Sequence, residues 1–103
     1  MFLSGQIPID PATGALVDGD ISLQARRVMD NLAAVLESAG LGFAHVVRTT
    51  VYLTDLANFA AVNQVYATYF SEPFPARATV QVSALPRGVG VEIDAVAVDD
   101  SSP

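Results

Sequence analysis

The sequence predicts a single domain of the α+β class, with two amphipathic helices laid on one face of a four-strand sheet. Three observations lead there. Alternating and helically spaced apolar segments follow one another in the order strand, helix, strand, helix, strand, strand. At 103 residues the chain suffices for one core and not for two. A hydrophobic share of 51% supplies that core amply. Two helices cover only one face of a sheet, so the other face must meet water or another subunit.

The chain opens in a strand-like run from Phe2 to Ile9. Asp10-Pro11-Ala12-Thr13-Gly14 then reads as a turn, with proline fixing one dihedral and glycine free to take positive φ. Asp20 is a good N-cap for the first helix, whose apolar residues Ala25, Val28, Leu32, Val35, Leu36 and Ala39 fall at helical spacing. Gly40 and Gly42 stop it. A strand is predicted from Val46 to Thr54, with Val47, Val51 and Leu53 alternating with Arg48, Thr50, Tyr52 and Thr54. Asp55 caps the second helix, which carries Phe59, Val62, Val65, Tyr66, Tyr69 and Phe70 and ends before Pro73.

The last third reads as a β-hairpin, with strands Ala76 to Ala84 and Val89 to Val98 around the loop Leu85-Pro86-Arg87-Gly88. Asp99 to Pro103 reads as a frayed polar tail. With Ala84 opposite Val89, Gln81 faces Glu92 and Thr79 faces Asp94. The rows Ala78, Val80, Val82, Ala84 and Val91, Ile93, Ala95, Ala97 then lie on the helix-covered side. Arg77, Glu92 and Asp94 fall together on the other side. Such a face has two readings. One is a solvated surface with an ion pair, worth about 0–1 kcal/mol. The other is a carboxylate-binding site, because arginine presents a planar fork of donors that matches a carboxylate, with a glutamate beside it to activate water. Periodicity does not decide between them.

Composition excludes several chemistries. The chain has no cysteine, so disulfides, thiolate nucleophiles and cysteine zinc sites are absent. All five basic residues are arginine (Arg26, Arg27, Arg48, Arg77, Arg87), so no lysine can form a Schiff base with pyridoxal phosphate. The one histidine, His45, rules out polyhistidine metal sites and reads as structural or exposed. A net charge of -6 with scattered arginines makes nucleic acid an unlikely partner. No apolar run approaches the roughly 18 residues of a membrane span. Met1 to Gly5 lacks the basic and apolar regions of a signal peptide, so a soluble cytoplasmic protein is expected. Ser4 has no histidine near it in sequence to build a triad. Tyr66, Tyr69 and Phe70 read as core or subunit interface, and Arg87 as a solvated turn residue. Arg48 reads as facing either solvent or a subunit interface.

Three segments carry a family resemblance. Ser4-Gly5-Gln6-Ile7-Pro8 with Asp10-Pro11-Ala12-Thr13-Gly14, then Val51-Tyr52-Leu53-Thr54-Asp55-Leu56 through Phe59-Ala60-Ala61-Val62-Asn63, and finally Pro75-Ala76-Arg77-Ala78-Thr79-Val80 through Leu85-Pro86-Arg87-Gly88 and Val91-Glu92-Ile93 resemble the RidA (YjgF) family. The resemblance runs through nearly the whole chain, in order. It implies a chorismate-mutase-like α+β fold with a mixed sheet, and a homotrimer with clefts between subunits. It also implies hydrolysis of reactive 2-imino acids, tautomers of enamines such as 2-aminoacrylate, to 2-keto acids and ammonia, with no metal or organic cofactor. By the same resemblance Arg77 holds the substrate carboxylate and Glu92 positions water. Ser4, Gly5, Asn63 and Thr79 line the cleft.

The chain departs from the family in one respect. It begins three residues before Ser4, where family members carry a preceding edge strand that brings a tyrosine into the cleft. The expectation is a RidA-like domain over 1–103 in which either the start is truncated or misassigned, or that strand is truly lacking and one sheet edge is bared. Two alternatives to the enzyme accompany it: a non-catalytic protein that binds small carboxylates through Arg77, and, less favoured by the charge, an RNA-directed activity.

Overall fold

The computed structural model describes residues 1–17 and 19–99. Strand β1 spans Phe2–Gln6, helix α1 Ile21–Ser38, β2 Val46–Leu53, helix α2 Phe59–Ala67, β3 Ala76–Gln81 and β4 Val91–Ala97. Short 3-10 turns at Phe43–His45, Leu56–Asn58 and Pro86–Gly88 lead into β2, α2 and β4. The α+β class and the element order agree with the sequence reading.

The local signals act as expected. Asp10 caps its own turn, its Oδ1 accepting from the Ala12 N–H at 2.8 Å, and Gly14 takes φ +72°. Asp20 Oδ1 accepts from the Leu23 N–H at 3.0 Å, which satisfies one orphan donor at the start of α1. At its other end Gly40 adopts φ +74°. The Leu41 and Gly40 N–H groups donate back to the carbonyls of Leu36 and Glu37, both at 2.9 Å, closing the helix in a Schellman motif. Asp55 receives the Ala57 N–H at 2.9 Å. The helix it introduces ends at Ala67, well before Pro73.

The sheet order is β1-β4-β2-β3. β4 runs antiparallel to both β1 and β2, whereas β2 and β3 are parallel, so the sheet is mixed. This corrects the terminal hairpin. β3 and β4 are not neighbours, because β2 lies between them. Glu92 pairs with Tyr52 and Asp94 with Thr50, not with Gln81 and Thr79. The cause is the β2–α2–β3 unit. Helix α2 returns the chain to the start of β2, so β3 enters alongside Arg48 and runs in the same direction. The connection after β3 then crosses the far end of β2. The Val82 N–H donates to the Leu53 carbonyl at 2.9 Å, and the Thr54 N–H to the Gly90 carbonyl at 3.3 Å.

The facing of β3 is corrected too. Thr49, Val51 and Leu53 are buried toward the helices, and their register partners are Arg77, Thr79 and Gln81. Arg77 therefore belongs to the helix-covered side. Ala78 and Val80 lie on the open side, with Tyr52, Glu92 and Asp94. Alternation states which residues of a strand share a face but not which face is covered. Ala78 and Val80 were too weak an apolar signal to settle that. Val47 is also turned outward: the β2–β4 register shifts between Val46 and Arg48, so Val46 is buried and Val47 is exposed.

One core joins α1, α2 and the covered sheet face: Val28, Met29, Leu32 and Leu36 pack with Val51, Leu53, Val62, Val91 and Ile93. The tail assigned to 99–103 lies outside the described residues beyond Asp99.

Candidate functional site

Arg77 sits on the edge strand β3, where a neighbouring helix rather than a neighbouring strand surrounds it. Phe59, Asn63 and Tyr66 recur on α2 at the i, i+4, i+7 spacing that places them on one helix face. That face cradles the guanidinium. Its carbon lies 5.3 Å from the Phe59 ring centroid and 5.0 Å from that of Tyr66, and Nη1 donates to Asn63 Oδ1. Tyr66 is itself fixed. Its phenol shares a 2.7 Å hydrogen bond with the hydroxyl of Thr49, a buried polar residue in register with Arg77. Burial pushes the Tyr66 phenol above the usual tyrosine range, while the Thr49 hydrogen bond and the charge of Arg77 pull it down. At neutral pH the phenol is uncharged and offers Arg77 the face of its ring.

The anchoring partner of Arg77 is thus a neutral amide and two π-faces rather than a carboxylate. One of its five N–H donors is engaged with Asn63, so most of the fork is available for an anion. A hollow of about 320 Å³ opens beside it, walled by Tyr66, Ala67, Phe70, Phe74 and Pro75. Thr79 lies two residues further along β3, partly buried on the same face.

The open face holds a second constellation. Tyr52 donates to Asp94 Oδ2 at 3.1 Å. That hydrogen bond first, then burial and the charges of Asp94 and Glu92, raise the Tyr52 phenol above its ordinary value. Glu92, the register neighbour of Tyr52, lies directly over Gly5: a Cβ at that position would collide with Glu92 Oε2 and Cδ. Glycine is required there for the carboxylate to approach. Ser4, Gly5, Arg48, Thr50, Tyr52 and Asp94 line a shallow concavity of about 430 Å³ on this face.

The residues singled out from sequence therefore divide into two groups. Arg77, Asn63 and Thr79 are together on the helix side of β3. Ser4, Gly5 and Glu92 are together on the open side, at the β1–β4 pair. The two groups occupy opposite faces of the sheet, and within one chain Arg77 and Glu92 do not meet. Phe59 and Tyr66 are the site residues that the sequence reading left in the core. Their spacing from Asn63 along one helix was the available signal, but it pointed equally well to packing. His45 stands apart from both groups. Its Nδ1 accepts from the Gly42 N–H at 3.1 Å, in the turn that leads into β2. Among the described residues no cluster of three or more His, Cys, Asp or Glu is arranged to hold a metal, and no helix is long and apolar enough to cross a membrane.

Comparison with known proteins fits this architecture. The family model described as endoribonuclease L-PSP matches residues 1–99. Protein DfrA of Myxococcus xanthus is 67% identical over 97 residues, covering 94% of this chain and 74% of that protein. The 2-iminobutanoate/2-iminopropanoate deaminase of Mus musculus is 48% identical over 98 residues, covering 95% and 73% respectively. The crystal structure of Escherichia coli TdcF with bound serine superposes with a TM-score of 0.90 at 42% identity, over 96% of this chain and 80% of that one. With the Ser4–Pro8, Pro75–Val80 and Val91–Ile93 segments in place on this fold, the chain belongs to the RidA (YjgF) family, the group that the endoribonuclease L-PSP model describes.

Proposed function

We propose that the protein is a deaminase that hydrolyses 2-imino acids to 2-keto acids and ammonia. The observation that carries this is the Arg77 fork. It is an arginine held over two aromatic rings, tied to a neutral amide, and left open to an anion beside a hollow walled largely by apolar side chains. That arrangement suits a planar carboxylate on a small organic molecule better than a phosphate chain, which a protein of net charge -6 repels.

In the proposed mechanism the substrate carboxylate docks on Arg77, which orients the adjacent C=N bond. Glu92 holds a water and accepts one of its protons as the oxygen bonds to the imine carbon. Attack is easier on the protonated iminium, and the acidic surroundings of Glu92 and Asp94 favour positive charge at that nitrogen. The carbinolamine nitrogen takes the proton back from Glu92, the hydroxyl gives its proton to the Glu92 carboxylate as the C=O bond forms and the C–N bond breaks, and ammonia leaves with the keto acid. Imine hydrolysis is intrinsically easy, so positioning supplies much of the acceleration. Ser4, Gly5 and Thr79 shape the cleft, and no metal or organic cofactor enters the reaction.

This mechanism requires Arg77 and Glu92 on one substrate, which a single chain does not provide. A second copy whose open face meets the α2–β3 side of the first supplies the missing half. We assign the protein as a homotrimer with sites between subunits, a closed ring in which each interface is the same heterologous contact. The names of the deaminase relative and of the serine-bound TdcF structure support the reading.

The test is release of ammonia and keto acid from 2-iminopropanoate or 2-iminobutanoate generated in situ, comparing the parent with Arg77→Ala. The expected result is faster hydrolysis by the parent and its loss in the variant. Saturable binding of 2-keto acids by a folded trimer without turnover would instead favour a carboxylate-binding protein.

A further inference from the structure

We propose that the Arg77 pocket selects 2-imino acids with an extended apolar side chain, branched aliphatic or aromatic, and lodges that side chain against Phe70, Phe74 and Pro75. The inference rests on the deaminase reading of the site and names its substrate class.

Polar and apolar groups both line the hollow. Arg77 and Asn63 supply the hydrogen-bonding groups, and the remaining walls are Ala67, Phe70, Phe74, Pro75 and the ring of Tyr66. The Tyr66 hydroxyl is already engaged with that of buried Thr49. A ligand that fits both kinds of wall is an anion with an apolar tail.

The walls are built to different degrees. Phe70 is fixed within an aromatic cluster: its ring centroid lies 4.7 Å from Tyr66 and 5.1 Å from Phe43, and Phe43 in turn packs against Tyr69 at 5.5 Å. Ala67 is a small residue in the same wall. Phe74 is the uncovered wall. It is 62% exposed, immediately before Pro75 and two residues before β3 begins. A large exposed aromatic that lines the same hollow as a fixed one gains by having apolar substance laid against it.

Size points the same way. At about 320 Å³ the hollow stands at the lower end of the roughly 300–1,000 Å³ range of small-molecule sites. A substrate with only a methyl beside its imine carbon reaches Arg77 and leaves Phe70 and Phe74 wet. Each further methylene buried raises affinity about fourfold.

The experiment has two arms. In the first, imines are generated in situ from alanine, leucine and phenylalanine by an amino-acid oxidase, and kcat/KM is measured from ammonia release. The leucine- and phenylalanine-derived imines are expected to exceed the alanine-derived one by about tenfold or more. Phe74→Ala should flatten that ratio, and Phe74→Leu should restore most of it. In the second arm, binding of pyruvate, 4-methyl-2-oxopentanoate and phenylpyruvate is measured by calorimetry, without turnover. Affinity is expected to rise along the series and to flatten in Phe74→Ala.

Turnover with a flat or inverted preference overturns the side-chain pocket and leaves the deaminase intact. Absence of turnover together with a steep, Phe74-dependent binding series overturns the deaminase and upholds the pocket. Binding that ignores side-chain length, or no binding at all, overturns the pocket in either case.

Discussion

Both faces of the sheet carry polar residues and treat them differently. On the covered side, Arg77 is tied down by Phe59, Asn63 and Tyr66, and Tyr66 by Thr49, so the position of the guanidinium is set by packed groups on two elements. On the open side, Glu92, Asp94, Tyr52 and Thr50 stand in adjacent rows, with Tyr52 donating to Asp94. One half is preorganised within the chain. The other is a polar surface that, in the proposed trimer, a second subunit completes. The difference teaches that, in the proposed enzyme, substrate binding is an intrachain property and water activation an interchain one.

Mixing two inactive variants tests that contrast most sharply. Arg77→Ala and Glu92→Gln should each abolish deamination. Co-expressed, they should recover roughly a quarter of parental activity, because some interfaces then join an intact Arg77 to an intact Glu92. Assay of the purified mixed trimers decides the matter, and no recovery would place both groups in one chain's site or neither.

Thr49→Val sharpens the comparison from the covered side. It leaves the Tyr66 hydroxyl without its buried partner and should cost about 1–3 kcal/mol in urea unfolding. It should also raise KM, because Tyr66 no longer fixes Arg77, with a smaller change in kcat.

Gly5→Ala is the complementary probe. Its methyl displaces the Glu92 carboxylate, the free end of a flexible side chain, rather than the backbone. The expected outcome is a fall in kcat of about tenfold, part of the roughly 10²–10⁴-fold that a positioned general base contributes. Keto-acid affinity should be nearly unchanged. An equal loss of affinity would mean that the two halves are not separable. Asp20→Ala, remote from both, should cost about 1 kcal/mol of stability through its lost N-cap and leave the kinetic parameters as they were.

The smallest expected effect is alkaline. Tyr52, Tyr66 and Tyr69 all have phenols raised above the ordinary value of 10.0, Tyr69 by burial and by its 2.7 Å hydrogen bond to Asp30. A raised folded-state pKa means that the unfolded chain loses its protons first. The contribution is therefore complete below about pH 10 and is lost as pH rises through the folded values. Absorbance titration of tyrosinate alongside thermal melts should show onset of ionisation and loss of stability together above that pH. Tyrosines titrating at their unperturbed value in the folded protein would refute it.

The site was only partly legible in the sequence. Arg77, Asn63 and Glu92 could be named from motif, and Gly5 from its place beside Ser4. The steric reason for Gly5, contact with a carboxylate on another strand, appears only in the fold. Phe59 and Tyr66 escaped notice because an aromatic on a helix face has the same signature whether it fills a core or supports a cation. The hairpin misled for a related reason. A short loop between two alternating segments fits an antiparallel pair, and local pattern does not register that β2 was already waiting for a partner on each side.

By itself, the sequence determined the α+β class, the caps at Asp20, Gly40 and Asp55 and the apolar stripes of the two helices. All of these depend on interactions within a few residues, so spacing encodes them directly. Only the tertiary structure decided the strand order, the face to which Arg77 turns and the separation of Arg77 from Glu92. Those follow from which distant segments pair. The competing pairings satisfy the same alternation, and the choice between them is made by where α2 returns the chain.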